Sequence, residues 1–140
     1  MPAIDWKLDG LSAWSDHALL LLRLVVGSFL IWGVLDNILS AARMAEFQAF
    51  LSQQGFVMPA LMARLSVWAQ FLIGCGFVLG LLCRWAGLLC AVNFLVAIIM
   101  VDAAGGIRAA FPSAALVCIG LLMASLGPGR FALERYLPRA

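Results

Sequence analysis

Hydrophobic residues along this chain form four long blocks with few charged side chains inside them, at residues 18–39, 60–82, 85–103 and 110–127. The hydrocarbon core of a bilayer is about 30 Å thick, so a helix that crosses it needs roughly 20 residues at about 1.5 Å rise per residue. Each block is close to this length. The pattern therefore predicts an all-α fold, a four-helix transmembrane bundle that forms a single membrane domain over residues 1–140 and leaves no room for a soluble catalytic domain.

The only long connection between blocks, residues 41–58, is amphipathic. Its apolar side chains recur at helical spacing among charged and amide side chains, and they are Met44, Phe47, Phe50 and Leu51. This pattern is typical of a helix that lies in the interface plane of a membrane. We expect an interfacial helix here, ended by Gly55, with Pro59 in the first turn of the next span.

The composition agrees with a membrane protein. Hydrophobic residues make up 65% of the chain and charged residues 11%, against about 45–50% and 25% in soluble domains. The net charge of +2 is too small and scattered for a nucleic-acid partner. Of the basic residues, Lys7, Arg23, Arg84, Arg130, Arg135 and Arg139 lie on the side of the N-terminus, and Arg43, Arg64 and Arg108 lie on the other. Because basic loops stay in the cytoplasm, this excess predicts both termini inside the cell.

Each span carries a stripe of small or polar residues at helical spacing, and we expect these stripes to face the bundle interior. Helices in lipid have little hydrophobic drive to associate, so close approach over small residues and interhelical hydrogen bonds must hold them together. The stripes are Arg23, Gly27, Leu30, Val34 and Asn37; Ser66, Gln70, Gly74 and Phe77; Ala86, Cys90, Asn93 and Ala97; and Ser113, Val117, Gly120, Ala124 and Gly127. Gly76 and Gly80 lie on a different face, where they are a candidate contact with another subunit.

Two amide side chains lie near the middle of neighbouring spans. Gln70 and Asn93 are expected at similar depth, because a tight turn at Cys83 and Arg84 joins their spans. They form either a hydrogen bond between helices, worth roughly 0.5–2 kcal/mol, or the polar end of a pocket for the head group of a lipid-soluble molecule. Arg23, inside the first span, is either a further contact in that site or a lipid anchor whose stem reaches the phosphates.

A second polar group is predicted where the first and third spans end. Asp36, Asn37 and Asp102 lie at similar depth there, with Arg64 and Arg108 nearby. They form either an outward-facing polar mouth or solvated helix ends.

Residues that bind metals are scarce. The one histidine, His17, precedes the first span, so neither a haem nor a zinc ion is expected. The four cysteines contain no Cys-x-x-Cys motif, and cysteines within membrane helices usually serve as small hydrophobic residues. We therefore expect no metal and no intrinsic cofactor.

Several short motifs follow one another along the chain. They are Leu22-Arg23-Leu24, Gly27 and Ile31-Trp32-Gly33; Phe47 and Phe50 before Gly55 and Pro59; Gln70, Gly74, Gly76 and Gly80 before Leu82-Cys83-Arg84; Asn93 and Ala97; and Gly127-Pro128-Gly129-Arg130 with Leu133-Glu134. From about residue 18 to 137 this order resembles the DoxX family of small four-span bacterial inner-membrane proteins. The family is associated with membrane redox systems, among them a quinol oxidase and thiosulfate:quinone oxidoreductases.

The resemblance implies a membrane subunit of a quinone-linked redox complex, accessory to an oxidoreductase rather than a stand-alone enzyme. Where the family often has a glutamate this chain has Gln70, and where it often has a lysine it has Asp36. Gln70 cannot titrate, but its amide can donate a hydrogen bond to a quinone carbonyl. We therefore predict that Gln70, Asn93 and Arg23 contact a quinone head group.

Two other classes of function stay open. A small-molecule transporter or channel subunit would use the mouth formed by Asp36, Asn37 and Asp102. A membrane scaffold or assembly factor would need only exposed helix faces. The expected partners are the lipid bilayer and a membrane or peripheral redox protein, and self-association into a homo-oligomer is left open.

Overall fold

The computed structural model describes residues 7–138, so Arg139, a basic residue in the predicted orientation signal, lies outside the described residues. Within this range the chain forms short 3₁₀ turns and five α-helices, with no strand. The helices are α1 (Ser15–Leu39), α2 (Ala41–Gln53), α3 (Pro59–Leu79), α4 (Cys83–Met100) and α5 (Ile107–Leu126). All but α2 are long and apolar enough to cross a membrane, which confirms the predicted four-helix architecture.

Local sequence signals explain where the helices begin and end. The Ser40 hydroxyl accepts a hydrogen bond from the Arg43 backbone N–H at 3.4 Å, so Ser40 caps the N-terminus of α2. Gly55, with φ of 84°, follows α2, and Pro59 opens α3 as predicted.

The turn between α3 and α4 lies earlier than the sequence predicted. Gly80, with φ of 71°, ends α3 in a left-handed cap, and Leu82 also has a positive φ, of 49°. Cys83 is consequently the first residue of α4, not part of the turn. Span boundaries inferred from apolar residues alone miss this cap, because leucine continues the apolar pattern through the turn.

The four long helices pack in series, with α1 against α3, α3 against α4 and α4 against α5. The short α2 packs against α1 and α3. One cluster of buried side chains joins all four long helices, and its members are Val26, Leu30, Ile73, Phe77, Cys83, Ala86, Cys90, Leu116 and Met123. Many large apolar side chains face outward, as expected for helices that lipid surrounds.

Two pairs of glycines let the helix backbones approach closely. A Cβ on Gly74 would lie 2.7 Å from the carbonyl oxygen of Gly27, and a Cβ on Gly120 would lie 2.6 Å from that of Gly87. Small residues thus hold α1 to α3 and α4 to α5, as expected of membrane helices. Gly80, in contrast, is buried against Ala132 of its own chain, so it is not part of an outward-facing subunit contact.

Candidate functional site

The antiparallel helices give the bundle two ends with different polar chemistry. We call the end that carries residues 127–137 the tail end, and the end that carries α2 the pocket end. The C-termini of α3 and α5 and the N-terminus of α4 lie at the tail end. The C-termini of α1 and α4 lie at the pocket end.

Arg23 is the largest fully buried side chain among the described residues, and it belongs to the tail end. Its Nε donates to the carbonyl of Phe77 at 2.9 Å and its Nη2 to that of Val78 at 3.4 Å, so the guanidinium caps the C-terminus of α3. Its Nη1 donates to the carbonyls of Pro128, at 2.8 Å, and Phe131. The arginine therefore ties α1 and α3 to the tail.

Neither role predicted for Arg23 matches this position. Its residue exposure is 1%, so the prediction that its stem reaches lipid phosphates is wrong. The structure also does not bring it together with Gln70 and Asn93, which lie towards the other end of the bundle.

Further hydrogen bonds fasten the tail to the helix ends. Glu134 accepts from the Cys83 backbone N–H at 3.4 Å and donates its own N–H to the Gly80 carbonyl at 3.1 Å. Asp16 on α1 accepts from the backbone N–H of Arg130 at 3.0 Å. Arg84 caps α5 by donating to the carbonyls of Ala124 and Ser125 at 2.8 and 2.7 Å. These groups hold the tail on the helix ends, and a polar cavity of about 670 Å³ lies beside them, with Arg84, Glu134 and Arg135 in its wall.

The pocket end contains a cavity of about 450 Å³ between α2, α3 and α4. Its wall is apolar except for Ser66, Gln70, Asn93, Asp102 and Ser113. A cavity of this size, largely apolar with a few polar groups, is typical of a small-molecule site. The structure therefore places both predicted amides in one pocket wall, together with three hydroxyl or carboxyl side chains.

The two amides meet through a serine. The Nε2 of Gln70 donates to the Oγ of Ser66 at 3.3 Å, and this hydroxyl donates to the Oδ1 of Asn93 at 3.1 Å. Ser66 belongs to the predicted stripe of α3, but its role as the bridge was not predicted. The spacing of four residues between Ser66 and Gln70, one helical turn, is the signal that places them side by side.

The same wall carries a second polar pair. Asp102 follows α4, and one of its carboxylate oxygens accepts a hydrogen bond from the hydroxyl of Ser113 on α5. Asp102 was grouped with Asp36 and Asn37, as a polar mouth or as solvated helix ends, but the structure pairs it with Ser113. Asp36 accepts from the Asn37 backbone N–H at 2.9 Å, and the Asn37 amide donates to the Arg43 carbonyl at 3.2 Å. Asp36 and Asn37 do not line the pocket.

The amphipathic α2 covers one side of the pocket. Phe47, Phe50 and Leu51 line it, and Phe56 from the following loop joins them. The rings of Phe47 and Phe50 stack with centroids 6.5 Å apart. The apolar face that predicted an interfacial helix is therefore directed partly towards the bundle.

Two cysteines serve packing and hydrogen bonding. The Cys83 thiol donates to the carbonyl of Gly76 at 3.5 Å, and the Cys90 thiol donates to that of Leu116 at 3.6 Å. Both residues are buried in the core cluster. These contacts link neighbouring segments of the bundle.

These features define a multi-pass membrane protein with an apolar pocket between its helices. The family model DoxX matches residues 18–103, more than half of the chain, and the chain therefore belongs to the DoxX family. A search of curated proteins and a search of solved structures each found no match. The matched range contains every pocket-lining residue except Ser113, and the extension of the domain to residue 140 stays a prediction.

Proposed function

We propose that this protein is an integral membrane subunit of a quinone-linked redox complex in the bacterial inner membrane, and that it binds the quinone head group between α2, α3 and α4. The observation that supports this most is the apolar cavity of about 450 Å³ with the hydrogen-bonded chain of Gln70, Ser66 and Asn93 in its wall. The redox association of DoxX proteins points the same way. The subunit itself is accessory, and the electrons pass to or from a partner protein.

The hydrogen-bond chain suits a quinone carbonyl. The Asn93 oxygen accepts from Ser66, and within residues 7–138 the amide N–H groups of Asn93 donate to no other group, so they remain for a ligand. Gln70 has one further N–H and its carbonyl oxygen, since only one N–H is given to Ser66. A quinone carbonyl accepts hydrogen bonds, for which the two amides supply neutral donors, and the quinone ring fits a wall of phenylalanine and aliphatic side chains.

Two features favour this function over a transport path. Among the described residues, the buried Arg23 and its hydrogen bonds to the carbonyls of Phe77 and Pro128 occupy the bundle interior between the pocket and the tail end. The carboxylates of Asp36 and Asp102, needed together for the predicted mouth, bond to different partners.

Equilibrium binding of duroquinone to the protein in lipid nanodiscs tests this proposal, with protein-free nanodiscs as the partition control. Saturable binding is expected, and Gln70→Leu or Asn93→Leu should weaken it by about tenfold while the protein stays folded. Gln48→Leu is the matched control, because Gln48 is an amide on α2 that does not line the pocket. Absence of saturable binding, or binding indifferent to both amide substitutions, would contradict the proposal.

A further inference from the structure

The pocket has two separate polar sites in an otherwise apolar wall. One is the chain of Gln70, Ser66 and Asn93, and the other is the pair Asp102 and Ser113. Asn93 lies seven residues before the end of α4 at Met100, roughly 10 Å along the helix at about 1.5 Å per residue, and Asp102 follows two residues later. The side chains between them in the lining, such as Val96, Ala97 and Val101, are apolar.

The Asp102 carboxylate retains capacity to accept hydrogen bonds. One oxygen accepts from Ser113, and within residues 7–138 no hydrogen bond to the other oxygen is present. No lysine or arginine lines the pocket. A partly buried carboxylate without a cationic partner is costly unless it accepts hydrogen bonds, so a donor brought by a ligand would lower that cost. Ionised carboxylates only accept, and a ligand carbonyl cannot bond to one.

A ring with oxygens at opposite positions has a length comparable with this spacing. With a hydrogen bond of about 2.8 Å at each end, such a ring spans roughly 11 Å between protein atoms. One oxygen of such a ring can then accept a hydrogen bond from the Asn93 amide while the other oxygen lies at Asp102. The oxygen at Asp102 must carry a proton, because only a hydroxyl can donate to the carboxylate.

We infer that Asp102 makes this pocket selective for the reduced, hydroxyl-bearing form of the ligand, a para-quinol, over the oxidised quinone. This rests on the proposed function, since it takes the same pocket and the same class of ligand. Ser113 is a positioning residue, because its hydroxyl holds one carboxylate oxygen and leaves the other directed to the ligand's hydroxyl. In this view the subunit delivers or receives quinol.

The experiment compares duroquinol with duroquinone, in oxygen-free buffer, on the protein in nanodiscs. Wild type is expected to bind the quinol about tenfold more tightly, since hydrogen bonds to charged groups are the stronger class. Asp102→Asn keeps the side chain's shape and can still accept from Ser113, but should bring the two affinities within about twofold by weakening quinol binding. Asp36→Asn removes a carboxylate outside the pocket and should leave the preference unchanged.

The outcomes separate this inference from the proposed function. Saturable binding that needs Gln70 or Asn93, with a quinol preference that Asp102→Asn leaves intact, overturns only the inference. Equal loss of quinol and quinone binding in Asp102→Asn also overturns it, because that result means a structural role. Absence of binding of either form overturns both. Matching thermal unfolding curves for the three proteins show that affinity, not folding, has changed.

Discussion

The two ends of this bundle use polar residues in opposite ways. At the tail end, Arg23 donates to four carbonyls, and Glu134 both accepts from and donates to the backbone. These polar groups therefore stabilise the fold. At the pocket end, the amides of Gln70 and Asn93 bond through Ser66 and retain donors and acceptors that face a cavity.

The comparison shows that charge and burial alone do not mark a functional residue in a membrane helix. Arg23 is the more unusual residue, since ionisable side chains within spans are rare and generally suggest function. All of its side-chain nitrogen atoms donate hydrogen bonds to carbonyls of the same chain, whereas the neutral amides of Gln70 and Asn93 keep unused donors. Unused hydrogen-bonding capacity beside a cavity distinguishes the candidate site better than the cost of burial does.

The largest expected difference between the two ends is that they lie on opposite sides of the membrane. The orientation predicted from the basic residues places both termini in the cytoplasm. A cysteine at Gln53 should then react with an impermeant thiol reagent in intact cells, and one at Arg135 should react only after the membrane is broken. The unsubstituted chain, with its four native cysteines, is the background control. The reverse labelling pattern would contradict the orientation.

Arg23→Met should destabilise the fold more than any single substitution in the pocket wall. The apolar stem remains, but four carbonyls at the tail end lose their donor, which we expect to cost about 3 kcal/mol or more. Thermal unfolding in a mild detergent measures this. Arg43→Met is the matched control, because Arg43 forms an exposed ion pair with Glu46 at 3.2 Å, worth about 0–1 kcal/mol. Equal melting of the two variants would refute a structural role for Arg23.

Ser66→Ala should have a smaller effect on stability, of roughly 0.5–2 kcal/mol, because hydrogen bonds between membrane helices are modest. It should also uncouple the amides. In wild type, Gln70→Leu and Asn93→Leu together should cost less than the sum of the single changes, and in a Ser66→Ala background they should add. Ser125→Ala, which removes a hydroxyl at the tail end, is the control. Additivity in the wild-type background would mean that the hydrogen bonds through Ser66 do not contribute to stability.

Phe50→Ala should have the smallest effect, and on ligand affinity rather than on folding. Loss of apolar area from the α2 wall should weaken duroquinone binding by about fivefold, or ~1 kcal/mol. Phe29→Ala removes an exposed ring on α1, outside the pocket, and should leave affinity unchanged. Equal effects of the two substitutions would argue against α2 as a wall of the site.

The spans could be predicted closely because bilayer thickness imposes a length on every apolar helix. The end of α3 could not be predicted, since the left-handed conformation of Leu82 does not change the apolar pattern. The shared wall of Gln70 and Asn93 followed from their depth. The hydrogen-bond partners of Arg23 could not be predicted from the sequence, because Pro128 lies 105 residues away and packing sets the path of the tail over the bundle. Ser113 was recognised as inward-facing, but its partner Asp102 depends on the turn after α4.

The location of the bound quinone tests the central claim most directly. A benzoquinone with a photoreactive azido group, bound to the protein in nanodiscs and cross-linked by light, can be located by mass spectrometry of the peptides. The account predicts labels within residues 47–56, 62–70 and 92–102, competed away by duroquinone and reduced in Asn93→Leu. Competed labelling centred on residues 127–137, or spread evenly over the lipid-facing surfaces, would contradict it.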